Sequence, residues 1–341
     1  MIYVSAALIK QVGSGLDISV MNTKTRYLFG VILCMFGIGF LCIRHAKYQF
    51  NVHDIEFKIT YNRKNPELLP KELESCPLRN VSIMKKKEKF IHVGLLSYPG
   101  SGNTWTRHMI QQLTGYCTGT VYCDRFLAKK GFPGECVFPS TKAKGCIIYK
   151  SHYNVKDKLR GFQKAIILIR NPFDALKAFF NWHTGKQSQY SVNAAVLQKN
   201  NKTRIIKDRF HALVDPSKFN STAWSAHVKR ESTVWRDSYL TWLNVFQNRS
   251  LVVRYKDLRE NLIPTLRKIS KFLDVQSTEM DYICTDVNKE GQHHRKQTYS
   301  LETADIFTDQ QIDMVNSAIM TVMNATKNRY SLKDFIFVNP K

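Results

Sequence analysis

From Ile91 onward, short apolar runs alternate with stretches of helical spacing. Ile91–Ser97 (IHVGLLS) reads as a buried strand, and Cys146–Lys150 (CIIYK), Ala165–Ile169 (AIILI) and Leu251–Tyr255 (LVVRY) as further strands. A glycine-rich turn and a helix from about Thr104 follow the first. The third runs into Asn171-Pro172, with Pro172 suited to the first position of a helix. Trp224–Phe246 and Leu258–Leu273 carry helical spacing. This alternation predicts an α/β fold, a P-loop-like three-layer domain over residues 90–335 with a central, mostly parallel sheet.

The front of the chain has a different pattern. Tyr27–Ile43 (YLFGVILCMFGIGFLCI) carries no charge and is bracketed by Lys24, Arg26, Arg44, His45 and Lys47. Its length lies at the short end for a spanning helix. A cleaved signal would want small residues just downstream, and Arg44-His45 offers none, so an uncleaved signal anchor is expected. Residues 1–26 then form a cytosolic tail. Residues 44–89, polar and punctuated by Pro66, Pro70 and Pro77, form a stem.

Flanking charge nearly balances and does not orient the span. Glycosylation sequons at Asn80, Asn201, Asn220, Asn248 and Asn324 all follow it, which favours a luminal domain. Apart from Cys34 and Cys42 in the apolar segment, six cysteines remain, an even number that an oxidising compartment permits. Their pairing is not legible, and no zinc framework is evident. The expectation is a type II membrane protein. A short anchor suits the thinner membranes of the early secretory pathway, and the Golgi is the expected location.

Composition adds a partner class. The 341 residues include 51 Lys plus Arg against 27 Asp plus Glu, a net charge of +24. That excess favours an anionic partner. A luminal domain would not meet nucleic acid, which leaves acidic glycans, phosphorylated cofactors and lipid head groups.

Three motifs stand at strand ends. Ser97-Tyr98-Pro99-Gly100-Ser101-Gly102-Asn103-Thr104-Trp105 leaves a strand and opens a helix, so its backbone N–H groups can face an anion. Thr104 adds a hydroxyl and Trp105 a flat surface for a base. No Lys-Ser/Thr pair follows Gly102, so this is not the nucleotide-triphosphatase loop. Lys150-Ser151-His152 ends the second strand and Arg170-Asn171-Pro172-Phe173-Asp174 the third. Ligands bind at such strand ends in open parallel sheets, so the three should converge on one rim.

In these motifs the chain resembles the sulfotransferase superfamily that uses 3′-phosphoadenosine-5′-phosphosulfate (PAPS). Tyr98–Trp105 matches that family's phosphosulfate loop except at Gly100 and Asn103. Lys150-Ser151-His152 looks like its Lys-Thr-His, and Arg170–Asp174 like its 3′-phosphate element. Tyr255-Lys256-Asp257-Leu258 looks like its Tyr-Glu-Asp-Leu, and Arg295-Lys296 loosely echo its basic C-terminal loop. The loop variant is most similar to the WSCD (WSC domain-containing) branch. No Cys-rich WSC module precedes the catalytic region here, so a short member is expected.

The resemblance implies PAPS as donor, no metal, and a glycan as acceptor, with sialylated glycans among the candidates. His152 would be the base and Lys150 a stabiliser of leaving-group charge. Pro99 to Trp105, Arg170, Tyr255 and Arg295 would hold the donor. Asn103 stands where that loop has a threonine, and two departures bear on activity: Gly100 replaces a lysine and Ala178 a serine. Lys150 is the first candidate to compensate for the missing charge and Arg107 the second. If Lys150 compensates, a Gly100→Lys change is expected to rescue part of the turnover lost in Lys150→Ala. The rivals are a catalytically silent binder of nucleotide or acidic glycan and, further back, a nucleotide kinase.

Overall fold

The computed structural model of the protein describes residues 76–85, 91–152, 156–184, 214–291, 302–326 and 331–338, all within the unit Ser75–Lys341. The apolar segment 27–43, Asn201 and Arg295 lie outside them. Among the described residues no helix is long and apolar enough to cross a membrane.

In chain order, β1 (Met84–Lys85) precedes β2 (Val93–Ser97), α1 (Asn103–Thr114), β3 (Thr118–Thr120) and α2 (Arg125–Ala128). Then come β4 (Lys144–Gly145), β5 (Ile148–Ser151), α3 (Lys156–Leu159), β6 (Lys164–Ile169) and α4 over residues 172–184. After α5 (Thr222–Phe246) follow β7 (Ser250–Arg254), α6 (Tyr255–Glu260), α7 (Leu262–Leu273), α8 (Glu279–Val287), α9 (Thr303–Ile306) and α10 (Asp309–Ala325).

Five strands form a parallel sheet in the order β3-β5-β2-β6-β7. Strand β2 is fully buried because helices cover both faces, which explains its unbroken apolar run. Successive side chains point to opposite faces. Leu96, Ile167 and Ile169 join a core with α5 and α10 residues such as Trp235 and Ile319. Val93, Leu95, Ile166 and Leu168 join a second core with α1 and α7 through Met109 and Leu266. The sheet is thus the middle of three layers. The chain passes from β5 on one side of β2 to β6 on the other, so the crevice that binds ligands in such sheets opens beside the end of β2.

Two expectations need correction. The helix read over Leu258–Leu273 is two helices broken at Asn261, whose φ of −133° leaves the helical region. Pro264 lacks an N–H, and its ring would meet the carbonyl of Glu260 in a continuous helix. Strand β3, Thr-Gly-Thr, has no apolar pattern to mark it in the sequence; it holds the sheet edge by pairing with β5.

The segment 76–85, placed in the stem by sequence, is bound to the domain. Cys76 is joined to Cys284, Arg79 donates to the Leu113 carbonyl at 2.8 Å, and β1 pairs with β4. Among the described residues the other disulfides are Cys117–Cys146 and Cys123–Cys136. Asn80, Asn220, Asn248 and Asn324 are all exposed.

Candidate active site

The turn between β2 and α1 is shaped by two glycines in the left-handed region, Gly100 at φ 81° and Gly102 at φ 87°. A Cβ on Gly102 would lie 2.5 Å from the Tyr255 ring. Helix α1 starts at Asn103, and geometry leaves the first N–H groups without intrahelical partners. Its first turn holds no acidic residue, so the positive helix end is open to an anion. Tyr98 anchors the turn from beneath by donating to Glu231 Oε2 at 2.8 Å, and Arg170 Nη1 donates to the Gly100 carbonyl at 2.8 Å.

Sequence placed all of Pro99 to Trp105 around the donor; the structure separates their roles. The Ser101 and Asn103 side chains are buried beneath the turn, so these residues offer only backbone to the crevice. Asn103 Nδ2 turns inward to Ser97 Oγ at 2.9 Å. Trp105 stays partly exposed, its Nε1 donating to the Lys289 carbonyl at 2.8 Å and its ring set at an angle against Tyr255. Tyr255 is the hub of this side. Its ring covers Gly102, meets Trp105 and lies under the Arg170 guanidinium, 4.6 Å away.

Across the crevice, β5 delivers Lys150 and His152. His152 Nδ1 lies 2.6 Å from the Ser97 carbonyl. A carbonyl only accepts, so Nδ1 carries the proton and a neutral ring keeps its lone pair on Nε2. Burial, and then the neighbouring Lys150 charge, push the His152 pKa down to about 3, which keeps the ring neutral. Burial and Arg107 lower that of Lys150 to about 8. The two residues therefore bring a neutral acceptor of protons and a cation to the end of β2.

Tyr122, which follows β3, was not singled out in the sequence. Its hydroxyl accepts from the His152 N–H at 2.8 Å, and its ring stacks on the imidazole at 5.9 Å. The signal for it was the missed strand: a fifth parallel strand brings its own C-terminal loop to the same rim. An open cleft of about 460 Å³ is lined by Tyr122, Cys123, Asp124, Arg125 and Phe126. The Cys123–Cys136 disulfide ties its wall.

Arg107 is not available as a substitute for the missing lysine. It is fully buried, paired with Glu135 at 2.5 Å, bonded to Thr118, and set over the Phe132 ring. Nor does Gly100 leave room for one. A Cβ there would stand 2.6 Å from the Ala175 carbonyl, so the expected rescue by Gly100→Lys does not fit this turn.

A sequence model of the sulfotransferase domain matches residues 90–314, which include every site residue above. The chain belongs to the sulfotransferase domain family. The sulfotransferase domain is also similar to WSCD family members, at 36% identity over 202 residues to one of Aedes aegypti and 33% over 205 residues to one of Drosophila melanogaster. Each match covers 59% of this chain, and the chain spans only 56% of either relative's length. Among solved structures, a mouse sulfotransferase complexed with PAP is similar at 16% identity and a TM-score of 0.43, over 74% of this chain and 89% of that one.

Proposed function

We propose that this sulfotransferase domain moves a sulfuryl group from PAPS to an acceptor hydroxyl, with a glycan as acceptor. The observation that carries the reading is the 2.6 Å bond from His152 Nδ1 to Ser97, which leaves the Nε2 lone pair bare beside the turn that opens α1.

The residues suit the donor. The free N–H groups at the start of α1 fit its 5′ oxygens, Arg170 its 3′-phosphate, and the Trp105–Tyr255 surface its base. Arg170 Nε is buried without a hydrogen-bond partner among the described residues, a donor that a phosphate oxygen would satisfy. Arg295, outside the described residues, is assigned to the same phosphate. The donor supplies an activated sulfuryl group on a phosphate leaving group. His152 Nε2 takes the proton of the acceptor hydroxyl as its oxygen bonds to sulfur and the sulfur–phosphate oxygen bond breaks. Lys150 and the turn N–H groups hold the charge growing on the departing phosphate.

The cleft beside Tyr122 is the acceptor's route to His152. A net charge of +24 favours an acidic glycan there. Three disulfides, four exposed sequons and the apolar segment 27–43 support a type II protein facing the Golgi lumen, held by one membrane span. A second reading, a silent binder of nucleotide or glycan, draws on Gly100 and Ala178, where the resemblance expects a lysine and a serine.

Immobilised glycans incubated with labelled PAPS test the reading. Label transfer to a glycan supports it. A domain that binds 3′,5′-adenosine diphosphate yet transfers nothing to any acceptor would establish the silent binder. Endoglycosidase treatment of cell-expressed protein should increase its gel mobility, and an unshifted protein open to cytosolic protease would refute the luminal topology.

A further inference from the structure

Asn103 sits where the resemblance expects a donor-binding threonine, yet it is only 5% exposed and its amide faces the end of β2. Nδ2 donates to Ser97 Oγ at 2.9 Å and, more weakly, to the Leu95 carbonyl at 3.4 Å. Oδ1 has no partner among the described residues. The Ser97 hydroxyl so held lies 3.5 Å from His152 Nδ1, while the Ser97 carbonyl lies 2.6 Å from the same atom. One residue thus offers the imidazole two opposite instructions. The carbonyl can only accept and demands Nδ1–H; the hydroxyl could donate and would demand a bare Nδ1.

We propose that Asn103 is a positioning residue for the base: it clamps the Ser97 hydroxyl away from His152, so that the carbonyl alone sets the tautomer and Nε2 stays unprotonated. A hydroxyl at 3.5 Å is at the limit of hydrogen bonding and does not compete with a carbonyl at 2.6 Å. Without the Asn103 amide, the buried hydroxyl can turn about χ1 toward Nδ1. A proton given there moves the ring proton to Nε2, where the base must be bare. The charged groups nearest the ring, Lys150 and Arg107, are cations and oppose a doubly protonated imidazole, so the exchange is between neutral tautomers.

This inference rests on His152 as the base, but its first readout does not. In long-range proton–nitrogen correlation spectra of ¹⁵N-histidine-labelled protein, wild-type His152 should show a protonated Nδ1 and a bare Nε2, whether or not the protein turns over. Asn103→Ala should populate the other tautomer, and Asn103→Thr, which carries the residue expected from the resemblance, should do the same if the alanine variant folds poorly. Ser97→Ala/Asn103→Ala, which deletes the competing hydroxyl and keeps the carbonyl, should return the wild-type pattern.

Turnover, if present, should follow. Asn103→Ala should lose roughly tenfold, a fraction of the hundredfold or more that a general base is commonly worth, and the double variant should recover most of the loss. The melting shift given by 3′,5′-adenosine diphosphate should be unchanged in all three. A lost shift in Asn103→Ala would return Asn103 to the donor site. An unaltered tautomer, or a double variant no better than the single, would reduce it to a tie between α1 and β2. Either result overturns the proposal.

Discussion

Gly100 packs directly on Ala178: a Cβ built on the glycine would come within 3.2 Å of the alanine Cβ. The departures from the sulfotransferase pattern at 100 and 178 are therefore one contact. The turn rests on α4 more closely than side chains at these positions allow, and Phe179 and Ala175 complete the seat. Charge lost at position 100 coincides with a backbone pressed onto a helix, and Lys150 and Arg170 are cations that remain at the rim.

Substitution at Gly100 should damage the domain. A non-glycine residue at φ 81° costs about 1–2 kcal/mol before any clash, and the 2.6 Å approach to Ala175 adds to it. Gly100→Ala and Gly100→Lys should both lower the melting temperature and weaken the shift given by 3′,5′-adenosine diphosphate. A Gly100→Lys protein as stable as wild type, with greater turnover, would show that the turn can lift off α4.

Arg170 should decide recognition of the 3′-phosphate. Wild type should gain thermal stability from 3′,5′-adenosine diphosphate, because a ligand that binds only the native state stabilises it. Plain AMP should give much less. Arg170→Ala should lose most of the difference, part of it because the Gly100 carbonyl loses its 2.8 Å partner. Equal shifts from the two nucleotides in wild type would place the 3′-phosphate elsewhere.

The pH profile separates Lys150 from His152. With a pKa near 3, His152 is already neutral at acid pH, so turnover should not fall through histidine protonation between about pH 7.5 and 5.5. Lys150, near 8, is cationic below that value and loses its charge as pH rises through it, so turnover should decline on the alkaline side. Lys150→Arg should move that decline upward, and Lys150→Ala should reduce turnover far more than donor affinity. His152→Ala should lower turnover by roughly two orders of magnitude with donor binding kept. An acid limb near pH 6.5 that vanishes in His152→Ala would contradict the neutral ring.

Tyr122 should matter for rate and little for donor binding. Tyr122→Phe keeps the stacked ring but leaves the His152 N–H without the acceptor now at 2.8 Å, a loss of about 1–2 kcal/mol. Turnover should fall about tenfold, and breaking Cys123–Cys136 by Cys136→Ser should act in the same direction through the loop. Wild-type turnover in Tyr122→Phe would remove it from the positioning of His152.

The sequence by itself determined the α/β class, four of the five parallel strands and the rim where Lys150, His152 and Arg170 stand. Apolar runs record burial, and a strand's end is fixed by the turn residues beside it, so both are written locally. It could not determine β3, whose Thr-Gly-Thr is a strand only because β5 offers it a ladder. It left the cysteines unpaired, since pairing depends on which loops the sheet brings together. Side-chain direction was equally beyond it. Arg107 and Asn103 lie on the first turns after the loop and read as ligands, yet Glu135 draws one inward and Ser97 the other. Only the tertiary structure decided these, because a buried charge or amide is placed by partners distant in the chain or across a turn, and its residue type alone names no partner.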